Sequence, residues 1–242
     1  VALNQFQLSV GKSFEDQLCS YQHALLFQQL KTNRKVKNFE FQVHNKDGQV
    51  RYFSIDASAI QVIESDYYFV MLRDITSERE QQQLNIYLAY HDQLTGSNNR
   101  SYFQDHVDKA LSSFKDGQLG AFVLADLNYF KLINDQYGHI IGDQVLIHVA
   151  SIFKNSLPDP KIFARLGGDE FVVFYETIHS KEQFIKVIDD LRLQFKLQPF
   201  QMEELVINVE PSIGISYVGL DSHDYDELYH IADMRMYEDK KR

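Results

Sequence analysis

Alternating hydrophobic and polar positions indicate that the first third of the chain is rich in β-strands. Residues 39–44 and 51–57 alternate in this way, and residues 45–48, which end in Asp-Gly, separate them. An Asp-Gly pair between two alternating runs predicts a β-hairpin, and residues 67–72 predict a third strand. The stretch before these strands has helical spacing of its leucines, which are Leu18, Leu25, Leu26 and Leu30. Residues 1–76 are therefore predicted to form a helix followed by an antiparallel meander.

Residues 77–91 have the pattern of a helical connector. Residues 77–83 are polar and contain neither glycine nor proline, and Leu84, Leu88 and His91 follow at spacings of four and three. Such a stripe can pair with its own copy in a second chain, as in a coiled coil. The stripe extends over about one heptad, and a plain solvated helix fits it equally well, so both interpretations stay open.

Residues 92–242 alternate between helical and strand patterns. The predicted helices lie at residues 102–114, 143–157, 180–195 and 228–236. The predicted strands lie at residues 120–125, 162–166, 171–174 and 205–218. This order predicts a β-α-β-β-α-β core, with helices on one face of an antiparallel sheet, which is the α+β class.

Two adjacent strands of this core end in carboxylates. Asp126 follows the apolar strand at residues 120–125, and the turn at residues 167–170 reads Gly-Gly-Asp-Glu. Glycines let a ligand approach the backbone closely, and paired carboxylates provide the oxygen ligands that Mg²⁺ prefers. Asp126 alone is more often an ordinary polar residue at a strand end, and a Gly-Gly-Asp turn alone is usually only a hairpin. Together, Asp126 and Asp169 are predicted to converge as in two-metal nucleotidyl transfer.

The third candidate is the segment at residues 130–139, which is followed by Gly142 and Asp143. It contains Lys131, which can meet a phosphate, and several short polar side chains. We expect a long loop with a ligand role, because it directly follows the candidate metal strand. A solvated loop without a ligand is the alternative.

The composition narrows the classes of function. A net charge of −10 argues against a nucleic-acid polymer as the main partner, but not against a nucleotide held by local lysines and metal ions. The single cysteine, Cys19, excludes an internal disulfide framework and fits a reducing, cytoplasmic compartment. No apolar run is long enough for a membrane helix, so no membrane segment is expected in these residues. The chain begins at Val1 and ends directly after a helical pattern, and we interpret it as a fragment.

Short motifs throughout residues 92–242 resemble the GGDEF diguanylate cyclase family, in its order and at its spacing. They lie at residues 92–96, 126–131, 133–135, 138–139, 142–143, 164–171, 212–214 and 232–233. Residues 1–76 resemble the C-terminal two-thirds of a PAS domain and end in Arg73-Asp74-Ile75-Thr76, a tetrad that commonly closes PAS domains before a signalling helix. The resemblance implies a PAS-like antiparallel sheet domain in residues 1–76, incomplete at its N-terminus, and a helical signalling linker in residues 77–91. It implies a palm-like GGDEF domain in residues 92–242, with an incomplete C-terminal tail.

The resemblance also implies roles for the candidate residues. Asp126 and Asp169 would ligate Mg²⁺ or Mn²⁺, with the Leu127 carbonyl as a further ligand and Glu170 beside the metals. Asp169 would take the proton from the attacking 3′-hydroxyl, with Glu170 as the alternative base. Lys131 would neutralise the charge that develops on the phosphates in the transition state.

Four further residues would bind the nucleotide. Asn134 and Asp143 would read the guanine, His139 would lie near the nucleotide, and Lys240 would be a second phosphate contact. The Watson–Crick edge of guanine offers two donors to a carboxylate and one carbonyl acceptor to an amide. Adenine would leave buried polar groups unpaired, at a cost of about 1–3 kcal/mol each, so GTP should be favoured over ATP.

The sequence departs from the family pattern at several places. Asn128 stands where the family often has a second aspartate, and Ser97 stands where a leucine beside the guanine pocket is common. The usual Gly-Arg-Asn tail beyond Lys240 is absent. Residues 158–161 read Pro-Asp-Pro-Lys, where many members carry the Arg-x-x-Asp product-inhibition site. Product feedback through that site is therefore expected to be absent.

The resemblance implies a diguanylate cyclase that condenses two GTP molecules into cyclic di-GMP and two pyrophosphates at a dimer interface. The PAS domain, whose ligand the sequence does not name, would regulate it. Because each domain would hold one GTP and the product is two-fold symmetric, the implied assembly is a homodimer. Two other functions are compatible with the sequence: a catalytically silent domain that binds GTP and regulates a partner, and a dimerising sensor in which the PAS half is the functional unit. Turnover of GTP distinguishes them.

Overall fold

The computed structural model describes residues 20–44, 48–62 and 65–241. Leu18, Cys19 and most of the predicted turn at residues 45–48 lie outside the described residues. The chain divides into two compact units, and the division falls between Asn85 and Ile86, inside the predicted connector. Among the described residues, none of the helices has both the length and the apolar character needed to span a bilayer.

The first unit confirms the predicted helix and antiparallel meander. Its elements are helix α1 (Ser20–Asn33) and strands β1 (Lys35–His44), β2 (Val50–Val62) and β3 (Ser65–Asp74), which pair in the order β1-β2-β3. Phe53, Ile55 and Ala57, which are alternate residues of β2, are buried in one hydrophobic cluster with Leu26 and Leu30 of α1. The period-two pattern of the sequence is thus the pattern of burial in the strand.

Helix α2 (Thr76–Tyr90) follows β3 and confirms that the connector is helical. At its start, Asp74 Oδ1 accepts a hydrogen bond from the Thr76 N–H (3.0 Å). Residues 81–90 are all exposed, and they include Leu84 and Leu88. This exposure is compatible with a solvated helix and with a stripe that pairs with a second copy.

The second unit contains a five-stranded sheet with the predicted β-α-β-β-α-β order. Its elements are β4 (Asn98–Asn99), α3 (Arg100–Ser112), β5 (Gly120–Leu127), α4 (Phe130–Tyr137), α5 (His139–Ser156), β6 (Ile162–Gly167), β7 (Glu170–Tyr175), α6 (Lys181–Leu197), β8 (Phe200–Met202), β9 (Leu205–Ile207), β10 (Pro211–Val218) and α7 (Tyr225–Lys240). The sheet order is β10-β5-β7-β6-β4, in which β4 is parallel to β6 and the other neighbours are antiparallel. Strands β8 and β9 form a separate small hairpin. Because β5 and β7 are neighbours, the ends of the two candidate site strands lie side by side.

Helices cover both faces of this sheet, so the predicted arrangement with helices on one face is wrong. Ala121, Val123 and Ala125 of β5 pack in one hydrophobic cluster with α5 and α6. Phe122 and Leu124 of the same strand pack in a second cluster with α3 and α7. The unbroken apolar run of β5 is what a strand buried on both sides requires.

The segment between β5 and α5, which we predicted as a long loop, is helical. Helix α4 buries Phe130 and Ile133, which lie three positions apart and therefore share one face of the helix. Gly138, with a φ of 84°, separates the two helices, and α5 begins at His139 and not near Asp143 as predicted. Phe130 and Ile133 anchor α4, and its other residues are exposed or partly exposed.

Side chains bind to the outer edge of β10, which is an edge strand of the sheet. The Ile213 N–H donates a hydrogen bond to Asp239 Oδ2 (2.9 Å), and the Tyr217 N–H donates to Asp221 Oδ2 (2.8 Å). Between them, Arg235 donates to a backbone carbonyl oxygen of the strand (2.7 Å). These bonds satisfy backbone groups that an edge strand otherwise leaves open to pairing with another chain.

Candidate active site

The Gly-Gly-Asp-Glu turn joins β6 to β7, and both of its glycines have backbone conformations that other residues disfavour. Gly167 has a φ of 138° and Gly168 has a φ of 54°. A Cβ atom built on either residue would meet nothing within 4 Å. The turn therefore requires glycine for its backbone conformation, and its open surface leaves room for a ligand to approach.

Three carboxylates come to one end of the sheet at this turn. Asp126 of β5 and Glu170 of β7 face each other in the antiparallel ladder, and Asp169 precedes Glu170 in the turn. Leu127, whose carbonyl is a predicted metal ligand, is the last residue of β5. The Asp126 carboxylate accepts a hydrogen bond from the ammonium of Lys240, the last residue of α7. The structure thus brings together the residues that the sequence predicted for the metal and for one phosphate contact.

Burial, together with neighbouring charges, raises the pKa of Asp169 and of Glu170. Burial, followed by the neighbouring Asp126 carboxylate, raises the pKa of Asp169. The pKa of Glu170 is also raised: burial is the largest cause, Arg100 opposes it, and the Asp126 and Asp169 carboxylates add to it. The hydrogen bond to Asp126 raises the pKa of Lys240, which favours the charged ammonium. The charged forms of Asp169 and Glu170 are thus disfavoured by burial first and by the neighbouring carboxylates second.

An oxygen-donor cluster of this kind fits a hard divalent cation. Like charges raise the pKa of a carboxyl group, and a bound Mg²⁺ would relieve that repulsion. Over residues 20–44, 48–62 and 65–241, no group of three or more His, Cys, Asp or Glu side chains forms a metal site by itself. Mg²⁺ in proteins is commonly held by one or two carboxylates together with waters and substrate phosphates, and Asp126 and Asp169 would fit that pattern.

Arg165, near the end of β6, ties the turn to the segment that precedes β4. Its Nε and Nη2 donate to the Gly168 carbonyl oxygen (3.0 and 2.7 Å), and its Nη1 donates to both carboxylate oxygens of Asp92 (3.0 and 3.1 Å). Asp92 Oδ1 also accepts from the N–H and the hydroxyl of Thr95 (2.9 and 2.7 Å). The planar guanidinium fixes the backbone of the turn from one side. Sequence reasoning gave Arg165 no role, although a charged residue on a short apolar strand next to the glycines was a usable signal.

The residues predicted to contact the rest of the nucleotide lie on α4 and α5. Lys131 is in the first turn of α4, and Lys131, His139 and Asp143 are all exposed. Asn134 lies against Gly142, since a Cβ at Gly142 would be 1.9 Å from Asn134 Oδ1. Gly142 immediately precedes Asp143, so the two predicted guanine-reading residues come from adjacent parts of two packed helices.

The Asp92–Arg165 pair generates a pH-dependent prediction. Burial alone would raise the pKa of Asp92, but hydrogen bonds from Thr95 and the Arg165 guanidinium outweigh it, and the pKa is lowered. The stabilisation from this carboxylate is therefore fully present above the unfolded-state pKa of about 4, and it is lost as the pH falls through the lower folded-state value. Asp92→Asn should reduce the free energy of unfolding by about 1–2 kcal/mol at neutral pH. Urea denaturation at a series of pH values should show this difference shrinking in acid.

The control for this measurement is Asp105→Asn, which changes an exposed aspartate on α3. It should leave the free energy of unfolding nearly unchanged at every pH. A difference between Asp92→Asn and the parent that stays constant from neutral pH into acid would contradict the ionic clamp.

The sequence of this chain matches a protein-family model and several curated proteins. The family model "Diguanylate cyclase, GGDEF domain" matches residues 89–242. The signaling protein YkoW of Bacillus subtilis is 31% identical over 219 residues, which are 90% of this chain and 27% of YkoW. The diguanylate cyclase TpbB of Pseudomonas aeruginosa is 31% identical over 155 residues, which are 64% of this chain and 36% of TpbB. MucR of the same organism, a bifunctional diguanylate cyclase/cyclic di-GMP phosphodiesterase, is 35% identical over 162 residues, covering 64% of this chain and 22% of MucR.

The fold agrees with solved structures as well. The structure of a TpbB variant that comprises only the GGDEF domain superposes with a TM-score of 0.60 at 30% identity, covering 63% of this chain and 89% of that one. The chain spans between 22% and 36% of the length of these curated relatives. Because the family model takes in more than half of its residues, the chain belongs to the diguanylate cyclase GGDEF-domain family.

Proposed function

We propose that the GGDEF domain of this chain condenses two GTP molecules into cyclic di-GMP and releases two pyrophosphates. The observation that carries the proposal is the cluster of Asp126, Asp169 and Glu170 beside an open glycine turn, in a chain of this family. A catalytically silent domain that only binds GTP is the alternative. We expect a silent domain to have lost a carboxylate or a glycine of the turn, and this sequence retains them.

Each transfer forms one bond and breaks one. The 3′-hydroxyl oxygen of one GTP attacks the α-phosphorus of the other, and the bond to the pyrophosphate leaving group breaks. Asp169 accepts the hydroxyl proton, and Glu170 is the alternative base.

Charge on the phosphates is balanced by cations. Mg²⁺ or Mn²⁺, held by Asp126, Asp169 and the Leu127 carbonyl, would stabilise the negative charge on the α-phosphate. Lys131 and Lys240 bind the phosphate oxygens. The proximity of Lys240 to Asp126 supports its assignment, because it places one ammonium at the carboxylate cluster.

Asn134 and Asp143 bind the guanine edge, and His139 lies near the nucleotide. The Asp143 carboxylate accepts both guanine donors, and the Asn134 amide donates to the guanine carbonyl. The contact between Asn134 and Gly142 supports this joint role, since it brings the Asn134 amide next to the first turn of α5, where Asp143 follows Gly142.

Asp169→Ala should abolish synthesis while leaving the fold intact. The change removes a metal ligand and the candidate base from a half-exposed turn, so the rate should fall by about 10³-fold or more. The measurement is conversion of GTP to cyclic di-GMP and pyrophosphate with Mg²⁺. Asp116→Ala, at an exposed loop position, is the matched control and should keep full activity. Binding of GTP by the parent without turnover would establish the silent alternative.

Asp143→Ser should weaken the preference for guanine, because the double acceptor is lost. The expected change is about a tenfold or greater fall in the ratio of GTP to ATP turnover, in line with one unsatisfied buried polar group. Asp135→Ser, which changes an exposed aspartate of α4, is the control. A ratio unchanged by Asp143→Ser would remove Asp143 from the guanine site.

We further propose that the active form is a homodimer and that residues 1–76 are a PAS-type sensor that regulates it through the linker at residues 77–91. A helix followed by an antiparallel meander fits the C-terminal part of a PAS domain. Each GGDEF domain holds one GTP, so a single domain lacks the second oriented substrate. It forfeits a proximity contribution that can reach roughly 7–11 kcal/mol. GTP as the substrate and Mg²⁺ as its bound cation suit a cytoplasmic location.

Specific activity should rise with protein concentration if two domains must meet. Leu84→Glu/Leu88→Glu places two charges on the exposed stripe of α2 and should shift this rise to higher concentration. Gln82→Glu/Gln83→Glu adds the same charge elsewhere on the helix and should shift it less. Sedimentation measured alongside activity decides the outcome: a monomeric sample with full activity per chain would rule out the two-domain mechanism.

We propose that product feedback through the usual allosteric site is absent, because Pro158 and Lys161 stand at the positions of its arginine and its aspartate. The side chains there are engaged locally. The Pro158 carbonyl accepts a hydrogen bond from the Tyr175 hydroxyl (2.9 Å), and Lys161 Nζ donates to the Leu157 carbonyl (2.8 Å) and to Asp159 (2.9 Å).

A further inference from the structure

The last turn of α7 is tied to two neighbouring elements through Asp239. Asp239 Oδ2 accepts a hydrogen bond from Arg192 Nη2 of α6 (2.7 Å) and another from the Ile213 N–H on the outer edge of β10 (2.9 Å). The side chains of Arg192 and Asp239 are 34% and 20% exposed, so both are partly withdrawn from water. One carboxylate oxygen thus joins a helix and an edge strand to the residue that precedes Lys240.

An aspartate at this place works against the helix that contains it. The C-terminal end of a helix carries partial negative charge, which disfavours another anion there. Asp239 lies in the last turn of α7, and helix ends fray when nothing holds them. The contacts with Arg192 and Ile213 offset this penalty and fix the turn. Residues that disfavour their own secondary structure tend to occur near functional sites. Asp239 is such a residue, and Lys240, which follows it, binds Asp126 of the carboxylate cluster.

The part of α7 that precedes its last turn is packed tightly against β10 and has little room to move. A Cβ at Gly214 of β10 would lie 1.9 Å from the Ala232 carbonyl oxygen and 2.5 Å from the Met236 nitrogen. Backbone therefore packs directly on backbone at this crossing. The position of the Lys240 ammonium then depends on whether the final turn is wound, and Asp239 is what anchors that turn.

We propose that Asp239 and Arg192 form a positioning pair that holds Lys240 at the carboxylate cluster and thereby sets the affinity of the site for a nucleoside triphosphate. The inference rests on the proposed function, since it requires Lys240 to contact phosphate. Asp239 and Arg192 themselves touch neither the substrate nor the metal in this proposal.

The same strand provides a matched control. Asp221 binds the other end of the outer edge of β10: it accepts from the Tyr217 N–H (2.8 Å) and pairs with Arg235 (2.6 Å). It is, like Asp239, a carboxylate that caps an edge-strand N–H and pairs with an arginine. Asp221→Ala should therefore destabilise the domain much as Asp239→Ala does, without altering Lys240.

The test is a double-mutant cycle on nucleotide binding, using the full 242-residue chain. The probe is guanosine 5′-[α,β-methylene]triphosphate with Mg²⁺, which can bind but cannot release pyrophosphate. Lys240→Ala should weaken binding about tenfold, and Asp239→Ala should weaken it by about three- to tenfold. The double variant should bind like Lys240→Ala alone, because Asp239 acts through that lysine. Asp221→Ala should stay within about twofold of the parent. Thermal unfolding of every variant establishes that it is folded.

Each outcome decides one proposal. Effects of Asp239→Ala and Lys240→Ala that multiply in the double variant would overturn the positioning role, and so would unchanged binding by Asp239→Ala. If Asp239→Ala does not fold, Arg192→Gln takes its place in the cycle, because it breaks the same pair at its more exposed member. A parent chain that binds no analogue would reject the proposed function itself, whereas a parent that binds while Asp239→Ala has no effect rejects the positioning pair alone.

Discussion

The confinement of three carboxylates in a partly buried space at the ends of β5 and β7 is the constraint on which this end of the domain depends. Asp126 and Glu170 face each other across an antiparallel ladder, so the backbone does not let them separate. Two cations lie beside these carboxylates: Lys240 pairs with Asp126, and Arg100 Nη2 lies 3.9 Å from Glu170 Oε2. Burial first, and the neighbouring carboxylates second, raise the pKa of Asp169 and of Glu170. A divalent cation bound together with a polyphosphate would stabilise the charged forms of these carboxylates.

The rest of the domain holds these charges in place. Apolar side chains on both faces fix the strands, so the strand ends cannot drift apart. Arg165 holds the turn backbone through the Gly168 carbonyl, and Asp92 neutralises that arginine. On the opposite edge of the sheet, β10 and α7 are locked by side-chain bonds to backbone groups. The charged groups of the site are thus held in place by interactions that lie one residue or more away from it.

The sequence predicted the parts whose signal is local. The apolar run of β5, the glycines of the turn and the period-two pattern of β2 each report the environment of their own residues. The order of strands and helices followed from these. The pattern was misleading where polar residues outnumber anchors, as in α4, where only Phe130 and Ile133 are buried and the segment was predicted to be a loop.

The pairing of residues that are distant in sequence had no such signal, even where one partner, Arg165, stood out in its own strand. Asp92 with Arg165, and Arg192 with Asp239, pair across the fold, and no periodicity marks charged residues that will meet. One-sided helix coverage was predicted because strand burial on the second face depends on α3 and α7, which come from opposite ends of the domain sequence. The order of the strands was predictable from the sequence, whereas the ion-pair partners and the helices that cover the second face were visible only in the packed structure.

The proposed chemistry joins two identical substrates, and this makes the strength of association between chains a functional quantity. A stripe of about one heptad is too short to hold two helices together firmly, since stable coiled coils sustain the repeat over several. Residues 81–90 are all exposed, and an isolated helix of this length is marginal in water. In the proposed mechanism, association must therefore draw on further surfaces and on the two substrates, whose reacting atoms are shared between the domains. A weak linker is then an advantage, because a modest change of free energy from a sensor is enough to change the population of paired domains. A firmly paired linker would leave such a sensor little to control.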